Sequence, residues 1–449
     1  MNQIIGLTNI HSEIQTAFSN FEQRNADNND NALYAVRQES FKSFERSGLP
    51  TTKNEEYKYT PISKALEKNF NFNLVPAKTT LTRENVEKVI LKDIESNVLV
   101  FINGYFSKEF SRIISPEDEL TFMEFSEVQQ KYPQLLLNHF AHYASYEKDA
   151  FTALNTAFAN KGTLIIIPGK TVVTVPVSLY FINDTDISNN AVIQPRNLFL
   201  IGADSEVNFI ESFHSFGPEP SFVNIVTEIV LERNAKVKYT KINNESDKAY
   251  HIGNTQAYQS ENTTFTSNTI TFGGAMVRNN LNIVIDGEGA EANMYGLYLL
   301  NGKQHVDNHT MVDHKKPNCT SNELYKGIID GKANAVFNGK IYVRQIAQKT
   351  NAFQSNRNIL LSNDATVNTK PQLEIWADDV KCSHGATTGQ IDDEQLFYLR
   401  SRGLSKDSAR SMLLYAFATD VFENVKFEGL KNHFEKIISE RLRKDFKNE

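Results

Sequence analysis

The residues best suited to chemistry are Cys382 and His384, a cysteine and a histidine separated by one position. Side chains alternate along an extended strand, so a thiolate and an imidazole at this spacing project from the same face. Such a pair can bind iron, copper or zinc, and it can also serve as nucleophile and base. The spacing alone fits a packed thiol equally well, because free cysteine is among the most often buried residue types.

A second candidate set combines three histidines with the other cysteine: His305, His309, His314 and Cys319. On a helix, a histidine pair four positions apart would face one metal ion. The surrounding residues are instead typical of strands and turns, where odd and even positions diverge. Polar turn and packing roles therefore fit this run better, and a zinc-binding structural protein is kept as an alternative.

Two acidic pairs, Asp378–Asp379 and Asp392–Asp393, allow a third interpretation. Paired carboxylates are the catalytic groups of many carbohydrate-active enzymes, some of which are β-helical. Such enzymes mostly act outside cells, and the start of this chain has no secretion signal. Asp392 also has a structural explanation, because it can cap a helix with Gln395 at the reciprocal position. A β-helical carbohydrate-active enzyme is therefore a weaker alternative.

Composition excludes several other classes. The net charge of −7 leaves no excess of basic residues for nucleic acid. No apolar run is long enough to cross a membrane, and two cysteines cannot build a disulfide framework. The segment Ile167–Thr171 resembles the end of a phosphate-binding loop, but residue 164 is Leu where that motif requires Gly. We therefore expect a cytoplasmic protein that uses ATP only through another chain.

The elements that must position the Cys382–His384 pair are predicted to be stacked β coils. From about residue 161, short runs rich in Val, Ile, Phe and Tyr alternate with Asn, Asp and Gly, and a small residue precedes many of them. These small residues are Ser205, Ala235, Ala290, Ala333 and Ala365, with Thr263–Ile270 as one more coil between the second and third. A degenerate period near thirty with strand-only content indicates a β-solenoid, and a β-sandwich with hairpins is the alternative.

Four regions follow from these patterns. Residues 1–95 are expected to be a helical region, 96–160 a mixed region of strands and helices, 161–390 the solenoid and 391–449 a C-terminal helical domain. In the last of these, Met412–Ala418 is apolar on every side, and a short helix of this kind needs cover from two directions. One cover can be the domain itself, and a partner protein can be the other.

The chain resembles the SufB/SufD family of iron–sulfur cluster assembly proteins, within it the SufD branch. The most specific stretches are Pro371–Ile375, Asp378–Thr387 and Gln395–Gly403, supported by Glu56–Pro61, by Asp307–Asn308 with His314, and by Gln348–Asn356. The resemblance implies a mainly β fold, with a right-handed parallel β-helix flanked by N-terminal and C-terminal helical regions. It also implies a non-catalytic scaffold subunit rather than an enzyme.

The resemblance further implies partners and a site. A SufB-like paralogue would pair through the β-helices, and a SufC-like ATPase would bind the C-terminal helices, whereas the isolated chain is allowed a homodimer. For the ATPase dock we name Phe397, Tyr398, Arg402, Met412, Leu413, Tyr415 and Phe417.

At the interface with the paralogue, His384, with Cys382 close by, would meet iron or a transient iron–sulfur cluster. Whether a flavin binds the assembled complex stays open. The SufB branch has its essential cluster cysteine near the position of Asn356, so this chain is not expected to assemble a cluster alone.

Overall fold

A computed structural model describes residues 9–25, 33–70, 72, 79–187, 191–422 and 428–444. The helices are α1 (Asn9–Arg24), α2 (Tyr34–Ser47), α3 (Ile62–Asn69), α4 (Arg83–Glu87), α5 (Phe125–Lys131), α6 (Pro133–His139), α7 (Ala150–Ala157), α8 (Asp393–Ser401), α9 (Lys406–Thr419) and α10 (Glu428–Lys444). Helices therefore lie towards both ends of the chain, and strands fill the middle.

The strands are β1 (Asn97–Ile102), β2 (Tyr105–Phe106), β3 (Thr121–Glu124), β4 (Gly162–Ile167), β5 (Val177–Asp184), β6 (Ala191–Ile193), β7 (Arg196–Ile201), β8 (Glu206–Phe216), β9 (Ser221–Leu231), β10 (Lys236–Asn244), β11 (Ala249–Gln259), β12 (Thr264–Thr271), β13 (Met276–Ile285), β14 (Glu291–Leu300), β15 (His305–His314), β16 (Thr320–Ile329), β17 (Asn334–Val343), β18 (Asn351–Leu360), β19 (Thr366–Ile375) and β20 (Lys381–Gly389).

These strands form two facing sheets of a parallel β-solenoid, which confirms the predicted fold class. One sheet has the order β2-β1-β5-β8-β10-β12-β14-β16-β18-β20, and the other has the order β19-β17-β15-β13-β11-β9-β7-β4-β3. The pairs β1–β2 and β3–β4 are antiparallel. Strand β1 pairs in parallel with β5, so the segment predicted to be mixed contributes a strand to the solenoid.

The inside of the solenoid is filled mainly by aromatic and branched side chains. Phe199 and Phe209, from opposite sheets, stack with 4.5 Å between their ring centroids. Phe101, Phe181 and Phe213 stack along one sheet with centroid distances of 4.8 and 5.0 Å. Each buried ring of this kind stabilises the fold by about 1.5–3 kcal/mol.

One corner of the solenoid explains the repeated small residues. A residue with positive φ precedes a small buried residue at each of the turns that lead into β8, β10, β12, β14, β16 and β18; the positive-φ residues are Asp204, Asn234, Asn262, Gly289, Asn318 and Lys349. Asn, Asp and Gly adopt this conformation at little cost. The following residues are Ser205, Ala235, Thr263, Ala290, Cys319 and Thr350.

The predicted repeat is thus only partly right. Strand β12 lies between β10 and β14, which confirms the extra coil at Thr263–Ile270. Ala333 and Ala365, however, precede β17 and β19 in the opposite sheet. Both corners of the coil require a small residue, so the sequence pattern did not separate them.

Helical segments cover the two outer faces. Phe70 and Phe151 pack against Phe222, with ring centroids 6.0 and 6.1 Å apart. On the other sheet, Phe434 of α10 packs against Phe272, and Leu414 and Ala418 of α9 are buried in the same apolar cluster. No helix within the described ranges is both long and apolar enough to cross a bilayer.

Candidate functional site

Cys382 and His384 lie on β20, the last strand of its sheet. Strand β20 pairs with β18 on one side, and within the described residues no strand follows it on the other. Cys382 is in register with Ala352 and His384 with Gln354, both of which are buried and face the inside of the coil. Residues in register share a face, so the pair lies at the open end of the solenoid. His384 is exposed there.

Cys382 is held differently from His384. It is half-buried and packs against an apolar cluster that includes Ile341, Val343 and Ala352. Burial raises the pKa of the Cys382 thiol, so the neutral thiol predominates in this chain at neutral pH. Cys382 and His384 are two positions apart on the strand, which separates their α-carbons by about 6.6 Å. The imidazole is therefore the more accessible side chain of the pair, and the thiol is a partly packed neighbour.

Two polar side chains lie next to His384 on the neighbouring strands, further into the solenoid. Gln354 Nε2 donates to Glu323 Oε2 over 2.6 Å, and both residues are buried. Burial raises the pKa of Glu323 to about 7. The sequence interpretation gave neither residue a role, although Gln354 lies in the matching stretch Gln348–Asn356. Their position beside His384 follows only from the strand register Glu323–Gln354–His384. That register cannot be predicted from the sequence unless the length of every coil is known.

The run of histidines and Cys319 does not converge on a site. His305 Nε2 lies 2.9 Å from Thr60 Oγ1, whereas His309 Nε2 lies 2.9 Å from Asp307 Oδ1. His314 Nε2 lies 2.9 Å from Ser321 Oγ inside the solenoid, and burial lowers the pKa of His314 to about 4. Across the described ranges no group of three or more His, Cys, Asp or Glu residues could hold a metal ion. The structural interpretation of this run therefore fits better than a zinc site.

Cys319 occupies one of the small-residue corners. Its thiol donates to the carbonyl oxygens of Gly287 and Pro317 over 3.3 and 3.2 Å. It is fully buried, and burial raises its pKa. It acts as a corner residue.

The His309 region instead fastens the N-terminal segment to the solenoid. Arg278 donates to the carbonyl oxygen of Glu56 over 2.6 Å and to Asp307 over 2.7 Å. Glu56 contacts His309 and Lys340. The hydrogen bond from His309, together with Lys340, lowers the pKa of Glu56 to about 2. These groups satisfy one another and leave no free ligand set.

The acidic pairs also have structural positions. Asp392 accepts hydrogen bonds from the backbone of Glu394 and Gln395 over 2.9 and 3.2 Å, which confirms it as the cap of α8. Asp378 and Asp379 are exposed in the turn before β20. A groove of about 1030 Å³ lies beside Arg278 and Arg344 and extends to Trp376, and its lining includes neither Cys382 nor His384. Arg344 in that groove is already paired with Asp313 over 2.8 Å.

The seven residues named for a partner dock divide into two groups. Phe397, Tyr398 and Met412 expose 73%, 57% and 51% of their surfaces. Arg402 is also exposed, and its guanidinium lies over the Tyr398 ring at 5.3 Å. Leu413, Tyr415 and Phe417 are partly buried, and the last two pack on the outer face of the solenoid.

Only part of the α9 surface is therefore covered. Leu414 and Ala418 have no exposed surface, whereas Met412 on the same helix is open. Helix α8 has no buried residue. The exposed aromatic side chains of α8 and Met412 thus form an uncovered apolar surface, hereafter the α8–α9 surface.

Together these features define a class of protein: a parallel β-solenoid with a histidine at one open end and a helical surface left uncovered. Comparison with known proteins makes this specific. Residues 181–417 match the family model for the SufBD core domain of SUF system FeS cluster assembly, and residues 8–179 match the model for the SufBD N-terminal region. The chain belongs to the SufBD family of iron–sulfur cluster assembly proteins.

Individual relatives agree with this assignment. The chain is 32% identical to the iron–sulfur cluster assembly protein SufD of Escherichia coli over 398 residues, which cover 88% of this chain and 90% of the relative. It is 32% identical to a SufBD family protein of Synechocystis over 399 residues, covering 87% of each. It is also 28% identical to the chloroplastic protein ABCI7 of Arabidopsis thaliana over 397 residues, covering 87% of this chain and 82% of the relative. The chain is thus a SufD-like member of the family, consistent with a non-catalytic scaffold.

Proposed function

We propose that this protein is the SufD-like scaffold subunit of a cytoplasmic SufB–SufC–SufD assembly. In this role its open solenoid end meets a SufB-like subunit, and His384 takes part in iron acquisition and nascent cluster formation there. One observation carries the proposal: His384 is exposed on β20, a strand with no neighbour on its outer side in the described chain. The match to the SufBD core domain supports it.

The open end has the properties of a pairing surface. Edge strands present unpaired N–H and C=O groups, which readily pair with another strand. The last two coils also expose apolar side chains, among them Ile346, Phe353 and Trp376. Exposed apolar surface of this kind marks sites of protein association. A SufB-like paralogue is the proposed occupant, and a second copy of this chain would use the same end when the paralogue is absent.

The α8–α9 surface is the proposed dock for a SufC-like ATPase. Phe397 and Tyr398 are large aromatic side chains that stay mostly exposed among the described residues. Aromatic and arginine side chains dominate the energetics of many interfaces, and Arg402 adds a cation beside Tyr398. Because the chain has no phosphate-binding loop, ATP would act through this partner.

At the site itself, His384 would contribute an imidazole to iron or to a nascent cluster, which is cargo rather than a resident cofactor. Imidazole is a common ligand of iron. Cys382 would have to lose its proton before it could bind metal, and burial disfavours that loss. We therefore assign Cys382 a lesser part. No residue is assigned to a flavin.

The test is His384→Ala in cells that depend on this chain. We expect unchanged co-purification with SufB-like and SufC-like chains but a clear fall in the activity of iron–sulfur enzymes, because only the cargo ligand is removed. His142→Ala, at an exposed histidine in the N-terminal half, is the matched control, and Cys382→Ala should have a milder effect. Normal iron–sulfur enzyme activity in the His384→Ala strain would contradict the proposal.

A further inference from the structure

A column of polar side chains leads from the inside of the solenoid to His384. Glu323 of β16 is in register with Gln354 of β18, and Gln354 is in register with His384 of β20. All three therefore face the inside of the coil on successive strands, which are spaced about 4.8 Å apart. Glu323 and Gln354 are buried, and His384 ends the column at the open side.

The orientation of the Gln354 amide is fixed by its inner neighbour. Nε2 of Gln354 donates to Oε2 of Glu323. Above its pKa of about 7, Glu323 is a carboxylate that only accepts hydrogen bonds. Gln354 is only 3% exposed. Its Oε1 atom is buried and has no hydrogen-bond partner. An unpaired buried acceptor is destabilising, because it has lost its hydrogen bonds to water. The unpaired Oε1 of Gln354 therefore requires an explanation. The adjacent side chain in the column that can donate a hydrogen bond to it is His384.

The opposite wall makes room for this side chain. Gly339 lies across the coil, and a β-carbon at this position would lie 2.1 Å from Gln354 Nε2. Any other residue at 339 would displace the amide. Gly339 thus leaves space for the Gln354 amide, and the carboxyl group of Glu323 holds it by a hydrogen bond.

We propose that Gln354 is a positioning residue for His384: its Oε1 accepts a hydrogen bond from one ring N–H of His384 and leaves the other ring nitrogen free for the metal. This inference rests on the proposed function, in which His384 is a ligand. Metal-binding histidines almost always donate their second ring N–H to a carboxylate or carbonyl oxygen, which fixes the tautomer and the ring orientation. Glu323 acts one step further in, because it holds the amide of Gln354.

The test uses the full-length chain with isotope-labelled histidine side chains, and measures the tautomer ratio of His384 by NMR at pH 8. The His384 signals are identified by their loss in His384→Ala. We expect one tautomer to predominate in the wild type. Gln354→Leu should change the tautomer ratio by about 2- to 10-fold, the equivalent of one net hydrogen bond.

Two further variants separate this role from simple packing. Glu323→Gln retains an acceptor for the Gln354 amide and should keep the wild-type ratio. Gln259→Leu removes another buried glutamine whose Oε1 also has no partner, in strand β11 far from β20, and should change nothing. An identical His384 tautomer ratio in the wild type and Gln354→Leu would overturn the inference. Failure of the proposed function would instead appear as normal iron–sulfur enzyme activity in His384→Ala cells, with the NMR result unaffected.

Discussion

At the scale of single residues, the open end combines groups with opposite environments. His384 is exposed, whereas Glu323, two strands further in, is buried with the pKa of its carboxyl raised to about 7. The packing that would hold Gln354 in place thus also leaves an ionisable group inside the coil. The consequence for stability can be measured without any partner.

Glu323→Gln should flatten the pH dependence of stability. The pKa of Glu323 is raised in the fold from its ordinary value of 4.5 to about 7, mainly by burial. Between these values the folded chain holds a proton that the unfolded chain releases, so this group's stabilisation is complete below pH 4.5 and is lost as the pH rises towards 7. The advantage of Glu323→Gln over the wild type should therefore grow by about 1.4 kcal/mol per pH unit in this window.

Chemical denaturation of both proteins at several pH values between 5 and 7.5 measures this difference. Glu261→Gln, at an exposed turn, is the control and should run parallel to the wild type. A constant difference between Glu323→Gln and the wild type across the window would show that the carboxyl is not held protonated by the fold.

At the scale of elements, the sequence predicted most of what local pattern controls. The cap at Asp392, the extra coil at Thr263–Ile270 and the solenoid itself follow from turn chemistry and alternating apolar residues. The Cys382–His384 pair was recognised because its two residues are close in the chain. Gln354 was not, because it joins His384 only through the register of coils whose lengths vary with each turn. For the same reason the sequence pattern did not separate Ala333 and Ala365, which precede strands of the opposite sheet, from the small residues of the other corner.

The α8–α9 surface also became clear only in three dimensions. Sequence alone showed that Met412–Ala418 is apolar on every side, but not which side faces the solenoid. Leu414 and Ala418 are covered by the solenoid and Met412 is not. Removal of everything after Ile391 would therefore uncover the outer face of the sheet as well as the dock, so point variants give the sharper test.

The double variant Phe397→Ala and Tyr398→Ala should weaken binding of a SufC-like ATPase by at least about 30-fold, since truncating a central aromatic contact costs about 2 kcal/mol or more. The fold should be unaffected, because both side chains are mostly exposed. Calorimetric titration of the purified chain with the ATPase measures the affinity. Tyr132→Ala, at a tyrosine that is 54% exposed in the N-terminal half, is the control. Equal affinities for the double variant and the wild type would place the dock elsewhere.

At the scale of the whole molecule, the two ends of the solenoid differ in how their last strands are covered. Stacked coils expose a strand edge and a core cross-section at each end, and repeat proteins usually close these with a cap. At the N-terminal end, β2 and β3 add antiparallel to β1 and β4, and Phe106 packs on Phe122 with 4.6 Å between ring centroids. At the C-terminal end, β19 and β20 are the last strands of their sheets. Within the described residues, antiparallel strands are thus added at the N-terminal end only, and the C-terminal end is the one that we propose for association.

Trp376→Glu tests whether the open end is the association surface. Trp376 is 48% exposed next to β19 and stacks on Tyr342. A carboxylate at this position would have to be desolvated on pairing, so we expect binding to a SufB-like subunit to fall by at least about 30-fold, with the far-ultraviolet circular dichroism unchanged. Leu137→Glu, at a leucine that is 46% exposed outside the solenoid, is the matched control. Sedimentation of mixtures of the two subunits measures the affinity, and any homodimer of the isolated chain should weaken in parallel because it would use the same end. Undiminished pairing of Trp376→Glu with the SufB-like subunit would show that another face of the molecule carries the interface.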